Sequence, residues 1–339
     1  MFIPKRIIFL KDSFDYEISQ NVYHYFKSNP HIEIIISDHQ TIKDYFDKSN
    51  FSNYYQTAKK TLILGKKRIT AFQTCKPSAH YQLPLVSGCM GECEYCYLNT
   101  QLSDKPYIKV NVNIEDIFTK AKEYLNQRPD EITIFEGAAT SDILPIEPYT
   151  KILSTTIAFF ATLPNARFRF VSKFNDVDTL LNIKHNQHTE IRFSINTEMI
   201  INQYEHFTPS LNHRIDAAIK VLEADYRVGL IIAPVFLYNN YQIDYLNLIK
   251  YLYNKLGKYE NQLTFEVISH RYTLKAKSTI LTLFPNTTIN FDEEKRTFKI
   301  GQFGYGKYLY QKDALVEMKE FFKFFLPTYF KNSKILYII

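Results

Sequence analysis

From about residue 80 onward, short apolar runs rich in β-branched and aromatic residues alternate with longer stretches whose apolar positions recur every three to four residues. The runs at 81–87, 131–136, 168–172, 191–196, 228–237 and Leu263–Ser269 read as strands. The segments Ile114–Asn126, 148–163, 177–182, 210–225 and 243–255 read as helices between them. Strands alternating with helices at this spacing imply βα units around a parallel sheet. Six such units fit a partial (β/α)6 TIM-type barrel better than a complete eightfold one. In that architecture the chemistry sits at the C-terminal ends of the strands. Ahead of this series, runs at 6–10, 32–36 and Thr61–Gly65, with helical spacing over 15–26, predict a small N-terminal α/β unit over 1–75, leaving 76–339 for the barrel. Past residue 285 the pattern changes. Runs at 287–292 and Arg296–Ile300 predict a C-terminal β-hairpin turning at 292–295, followed by a Gly-rich turn at 301–307, a helix near 314–325 and a last strand at 335–339.

Composition narrows the class. A chain of 339 residues with 45% hydrophobic and 22% charged residues is long enough to bury a sizeable core. No apolar run approaches the ~20 residues needed to span a bilayer. The first residues show no apolar stretch leading to a small-residue cleavage site, so the sequence predicts a cytoplasmic protein without a membrane partner. The net charge of +6 is compatible with a nucleic-acid partner and equally with a basic enzyme that has none. Lys59, Lys60, Lys66, Lys67 and Arg68 flank one strand; such a run is more often a solvated face than a nucleic-acid contact.

Four cysteines in a cytosolic chain do not make a disulfide framework. Three of them, Cys89, Cys93 and Cys96, fall within eight positions, immediately after the first strand of the βα series. A C-x-x-x-C-x-x-C loop can ligate three irons of a 4Fe–4S cluster, and the fourth iron is then open to a small molecule. Gly88 and Gly91 would let the backbone curl close to the cluster. Zinc is the alternative, but zinc motifs usually add a distant second ligand pair, and the nearest downstream histidine, His185, has no such partner.

This spacing resembles the radical S-adenosylmethionine (SAM) enzymes, in which the open iron binds SAM and an electron from the cluster cleaves it to methionine and a 5′-deoxyadenosyl radical. The resemblance narrows to the spore photoproduct lyase family. It is carried by K-P-S-A-H-Y at 76–81, G-C-M-G-E-C-E-Y-C-Y-L at 88–98, K-P-Y-I at 105–108, F-E-G-A-A-T-S-D at 135–142 and V-S-K-F at 171–174. It continues through R-F-S-I-N at 192–196, I-A-P at 232–234, H-R-Y at 270–272, D-E-E-K-R at 292–296 and G-K-Y-L-Y-Q-K at 306–312. That family reverses 5-thyminyl-5,6-dihydrothymine, a crosslink between adjacent thymines of spore DNA, beginning with hydrogen abstraction at C6 of the lesion. The resemblance implies that Cys89, Cys93 and Cys96 hold a 4Fe–4S cluster and that Ser141, Lys173, Ser194, Asn196 and Ala233 surround SAM. It implies that Tyr95 and Tyr97 relay a hydrogen atom. It also implies lesion-containing DNA as substrate, an electron donor such as flavodoxin or ferredoxin, and a place in the spore core.

Two departures from the family pattern stand out. Ala139 occupies the position of the cysteine that quenches the thymine radical, and a methyl group has no weak bond to hydrogen to offer. The spare thiol, Cys75, stands where the family usually has serine, and reads as an inert buried cysteine. In the 301–307 turn, Gln302 and Phe303 stand about where the family has arginine and tyrosine, which probe the DNA as the lesion is extruded. Two changes together favour natural divergence over a single engineered substitution. The rival readings are a radical SAM enzyme with another substrate and a lesion-binding protein that keeps its cluster as structure.

Overall fold

The computed structural model describes residues 1–42, 45–102, 104–300, 304 and 306–339. The chain separates into two compact units, Met1–Met90 with Leu102–Ile191, and Gly91–Gln101 with Arg192–Ile339. This division differs from the expected 1–75 and 76–339, and strand pairing explains why. In the first unit Glu33–Ile36, Arg6–Phe9, Thr61–Gly65 and Ile108–Asn111 lie side by side in parallel, and Val86–Ser87 closes the edge antiparallel to Ile108–Asn111. The N-terminal strands therefore share a sheet with residues well beyond position 75. Thr61–Gly65 is buried at every position, as a strand covered on both faces must be.

A second set of strands in the same unit begins the βα series. Ala79–Gln82 runs parallel to Thr133–Glu136, which runs parallel to Ala166–Ser172. Thr74–Cys75 caps the edge antiparallel to Ala79–Gln82. The helix Ile114–Asn126 buries Ile114, Ile117, Phe118, Ala121 and Leu125, an i, i+3, i+4, i+7, i+11 stripe along one face. Phe118 stacks on Phe159 with centroids 4.0 Å apart.

The helix expected over 148–163 is divided at Lys151, whose φ of 57° lies in the left-handed region. Glu147 makes the second piece possible. Its carboxylate accepts the Leu153 N–H at 2.7 Å, the Ser154 N–H at 3.1 Å and the Ser154 hydroxyl, capping Ile152–Ala161. The helix expected over 177–182 is a single 3-10 turn, Asp178–Leu180. Only Val177 and Leu180 find the core, and Asn186 and Gln187 then turn the chain with positive φ.

In the second unit Arg227–Val235, Leu263–Ser269 and Lys334–Ile338 are successive parallel neighbours. The helices Leu211–Glu223, Tyr241–Leu256 and Lys312–Tyr329 belong to this unit. The hairpin is present, but with different strands from those expected. Arg296–Ile300 pairs antiparallel with Gly306–Tyr310, from Arg296 opposite Tyr310 to Ile300 opposite Gly306. Residues 287–292 form no strand. Ile289 and Phe291 instead join an apolar cluster with Ile200, Tyr204, Phe236, Tyr272 and Ile280. The Phe291 carbonyl accepts the Tyr272 hydroxyl and the Lys277 ammonium, so it is not available to a ladder. Gln302 and Phe303 lie outside the described residues.

Glu147 yields a pH prediction. Burial outweighs its donors and pushes the carboxyl from an ordinary 4.5 up to about 7. The folded state thus favours the protonated form. Its stabilising contribution is full below about pH 4.5 and is lost as pH rises through about 7. Urea unfolding of the parent and of Glu147→Gln should show the parent's advantage shrinking by on the order of 2 kcal/mol between pH 5 and pH 8. A difference that is flat across this range would contradict the assignment.

Candidate active site

The cysteine loop starts from a glycine that nothing else can replace. Gly88 has a φ of +92°, and a Cβ there would lie 2.2 Å from the Tyr107 carbonyl oxygen. Its N–H donates to the Thr140 carbonyl at 3.0 Å, and Gly88 bridges Ser141. The backbone that leads into Cys89 is therefore fastened to the loop after Thr133–Glu136. Gly91 is not among the residues at positive φ.

None of the four cysteines is in a disulfide. Cys89 and Cys96 are half-buried and Cys93 is buried. The Cys89 carbonyl accepts the Lys59 ammonium at 2.6 Å, and Lys59 is only 5% exposed. Lys59 is thus no part of a solvated basic face, as the charge run had suggested. Its alkyl stem is buried and its head is spent on the loop. Periodicity offered one sign of this, because Lys59 falls on the buried stripe of Phe51–Lys59 with Tyr55.

In the second unit Glu92–Cys93 pairs antiparallel with Glu205–His206, with Cys93 opposite Glu205. The Cys93 carbonyl accepts the Cys96 N–H and the Asn99 amide, each at 3.1 Å. Among the described residues, no three Cys, His, Asp or Glu side chains converge on a common metal point. The loop supplies the right donor chemistry, three thiols free of disulfides, without a closed ligand cage.

The two loop tyrosines differ sharply. Tyr97 is 58% exposed. Tyr95 packs against the apolar cluster around Phe236 and donates its hydroxyl to Glu205. Burial, reinforced by the Glu205 carboxylate, raises the Tyr95 hydroxyl well above its ordinary value. Glu205 is itself fully buried and paired with Arg214 at 2.6 Å. Arg214 also donates to the carbonyls of Pro209 and Ser194 and to the Thr208 hydroxyl. Neither Glu205 nor Arg214 was singled out from the sequence, where each looks like one charge on an amphipathic surface.

The residues expected around SAM fall at strand ends. Ser141 is buried, and its hydroxyl has no partner among the described residues. The Lys173 N–H donates to Asp142 at 2.9 Å, and the Ser172 hydroxyl donates to the other Asp142 oxygen at 2.7 Å. Burial pushes the Asp142 carboxyl up to about 6. Ser194 offers its carbonyl to Arg214. Asn196 is fully buried and committed to the protein. Its amide donates to the Pro234 carbonyl at 2.8 Å, and its oxygen accepts the Tyr245 hydroxyl at 2.8 Å and the Thr197 N–H at 3.0 Å. Asn196 therefore holds the strand end that carries Ala233.

Cys75 is half-buried rather than buried, opposite Ala79 on the sheet edge. Its neighbours Thr74 and Lys76 line an open cavity of about 390 Å³ with His80, Tyr81 and Arg128. Gln82, further along the Ala79–Gln82 strand, donates to the Thr140 hydroxyl at 3.0 Å, beside Ala139.

Comparison with known proteins places this arrangement. The family model for spore photoproduct lyase matches residues 2–339. The spore photoproduct lyase of Clostridium acetobutylicum is 48% identical over 335 residues, 99% of this chain and 98% of the relative. That of Bacillus subtilis is 38% identical, with the same coverage. A solved spore photoproduct lyase in complex with dinucleoside spore photoproduct superposes with a TM-score of 0.95 at 37% identity, covering 100% of this chain and 99% of the other. A solved double mutant, in which a cysteine is replaced by alanine and a serine by cysteine, has AdoMet and the same dinucleoside bound and superposes equally well at 38% identity. These define the class: a radical SAM enzyme with a mixed α/β half-barrel fold. The chain belongs to the spore photoproduct lyase family, whose members return the thymine crosslink to two thymines.

The buried pair gives a stability prediction. Arg214→Met takes the neighbouring cation from the buried Glu205 side chain, which keeps its Tyr95 bond, and should lower the unfolding free energy by about 3–5 kcal/mol. Adding Glu205→Gln should recover part of that loss. Denaturant unfolding of both variants checks this, and a loss below about 1 kcal/mol in the single variant would contradict the pairing.

Proposed function

We propose that this chain uses SAM and a 4Fe–4S cluster to reverse spore photoproduct in DNA, with Cys89, Cys93 and Cys96 as the cluster ligands. The observation that carries the reading is the match to the lyase family along nearly the whole chain. The three thiols and the Ser141 hydroxyl, which has no partner among the described residues, fit such cofactors. When bound, these cofactors supply the reducing electron and the acceptor for the hydrogen atom taken from the lesion.

The chain's own residues bind and orient. Ser141, Lys173, Ser194 and Ala233 surround SAM, with Asn196 holding Ala233 in place. The Lys173 ammonium, a compact charge, suits the methionine carboxylate. Tyr97, the exposed tyrosine, serves with Tyr95 as the hydrogen relay, and the Glu205 contact keeps the Tyr95 hydroxyl fixed. A flavodoxin or ferredoxin delivers the electron, and the protein works in the cytosol of the spore.

Ala139 makes the last step unusual, because the opened lesion must still receive a hydrogen atom. A second reading locates its source. The double mutant with a cysteine-to-alanine and a serine-to-cysteine change binds both AdoMet and the dinucleoside. Here Ala139 and Cys75 stand where the family pattern has cysteine and serine. In this reading the Cys75 S–H gives its hydrogen atom to the thymine carbon radical, leaving a thiyl radical that the tyrosine relay reduces.

An anaerobic assay tests the function. The reconstituted protein, dithionite, SAM and the crosslinked dinucleotide should yield 5′-deoxyadenosine and thymidylyl-thymidine. No 5′-deoxyadenosine would reduce the protein to a lesion binder, and 5′-deoxyadenosine unaffected by the lesion would point to another substrate. Ala139→Cys should raise the yield of repaired dinucleotide, and no gain would sink the account of Ala139 as a missing donor. Cys75→Ser should lower that yield while 5′-deoxyadenosine formation continues; an unchanged yield would exclude Cys75 as the donor. Affinity for lesion DNA should fall steeply as salt rises, because phosphate contacts release counterions.

A further inference from the structure

His270 follows the Leu263–Ser269 strand directly, at the C-terminal end, where barrel folds place their chemistry. It is 2% exposed. Its ring stacks on Phe236 with centroids 4.4 Å apart and planes 23° apart, and the backbone N–H donates to the Val235 carbonyl at 2.9 Å. Phe236 in turn meets the ring of Tyr95, on the cysteine loop, at 5.8 Å. Val235 lies two residues beyond Ala233, on the strand end that Asn196 holds.

Arg296, at the base of the hairpin, holds both the backbone and the ring of His270. One guanidinium nitrogen donates to the His270 carbonyl at 3.1 Å, and the other stands 3.4 Å from Nδ1. The guanidinium itself rests on the Tyr310 ring at 3.6 Å. A guanidinium only donates, so Nδ1 must be the acceptor and the ring proton sits on Nε2. Burial, and next the Arg296 charge, hold the imidazole down to about 3, so it is neutral at physiological pH. The Nε2–H is then a donor of fixed direction, buried and without a partner among the described residues. A buried donor with nothing to bond is costly, so this Nε2–H calls for an acceptor, which a bound ligand or an ordered water would supply.

We propose that His270 is a substrate-binding residue whose Nε2–H donates to a pyrimidine carbonyl oxygen of the extruded thymine dimer. A neutral donor set among Phe236, Tyr272 and Phe291 suits a neutral acceptor on a flat base better than a phosphate, whose charge would lose its hydration there. The inference rests on the lyase reading above.

The test measures binding of dinucleoside spore photoproduct and, separately, of SAM to the reconstituted holoenzyme. His270→Phe keeps the stack and removes the donor; His270→Gln replaces the donor with an amide N–H. Dinucleoside affinity should fall about 10- to 100-fold in His270→Phe, the range expected for one buried hydrogen bond, and return in part in His270→Gln, with SAM affinity unchanged. Equal dinucleoside binding by parent and His270→Phe would overturn the proposal and leave the N–H to an ordered water. A loss confined to SAM binding would overturn it in favour of the cofactor. If the parent binds SAM but not the dinucleoside, the lyase reading falls and this inference with it. Should His270→Phe fail to fold, nitrogen-15 NMR of histidine-labelled parent decides: the Nε2–H resonance must move on adding the dinucleoside, and an unmoved resonance overturns the proposal.

Discussion

Arg214 is the group on which the geometry around the cysteine loop depends. A guanidinium offers five donors in a rigid planar fork, and this one directs them to the Glu205 carboxylate, the Thr208 hydroxyl and the carbonyls of Pro209 and Ser194. Glu205 passes the constraint on, through its side chain to the Tyr95 hydroxyl and through its backbone to Cys93. One buried cation thus ties together a loop tyrosine, the backbone of Cys93 and the strand end that carries Ser194. Such a pair contributes little net stability against its desolvation cost. Its value is in fixing which atoms face which.

The same economy appears elsewhere. Asn196 donates to the Pro234 carbonyl and accepts the Tyr245 hydroxyl, so a side chain helps hold the strand end bearing Ala233 where its register with Leu263–Ser269 shifts. Arg296 lies between the Tyr310 ring and His270, and links the hairpin base to the end of Leu263–Ser269. Glu147 caps a helix that Lys151 would otherwise have interrupted without compensation. In each case a buried polar group replaces regular secondary structure at the point where the chain changes direction. These are the places where the carboxyl, imidazole and phenol groups leave their ordinary titration ranges.

Membership in the lyase family sets a frame within which Ala139 and Cys75 matter. The cofactors generate the radical chemistry, while the protein decides how it ends. The half-exposed position of Cys75, beside an open cavity, differs from the inert buried cysteine that its sequence context suggested.

The sequence by itself determined the βα alternation, the cysteine loop and the family; that Gly88 rather than Gly91 must be glycine came from the fold. The alternation, the loop and the family are local or motif-borne: hydrophobic period reports which face is buried, and ligand spacing reports which donors share a loop. Only the tertiary structure decided that Val86–Ser87 and Ile108–Asn111 complete the N-terminal sheet, because strand partners are chosen by long-range packing. It likewise moved the hairpin from 287–292 to Gly306–Tyr310, since Ile289 and Phe291 gain more by burial than by pairing. Lys59, Glu205 and Arg214 look ordinary in sequence, and His270 stands out there only as part of the H-R-Y motif, with no role attached. What makes each one matter is the removal of water from around a polar group, and burial of that kind is created by residues far away along the chain.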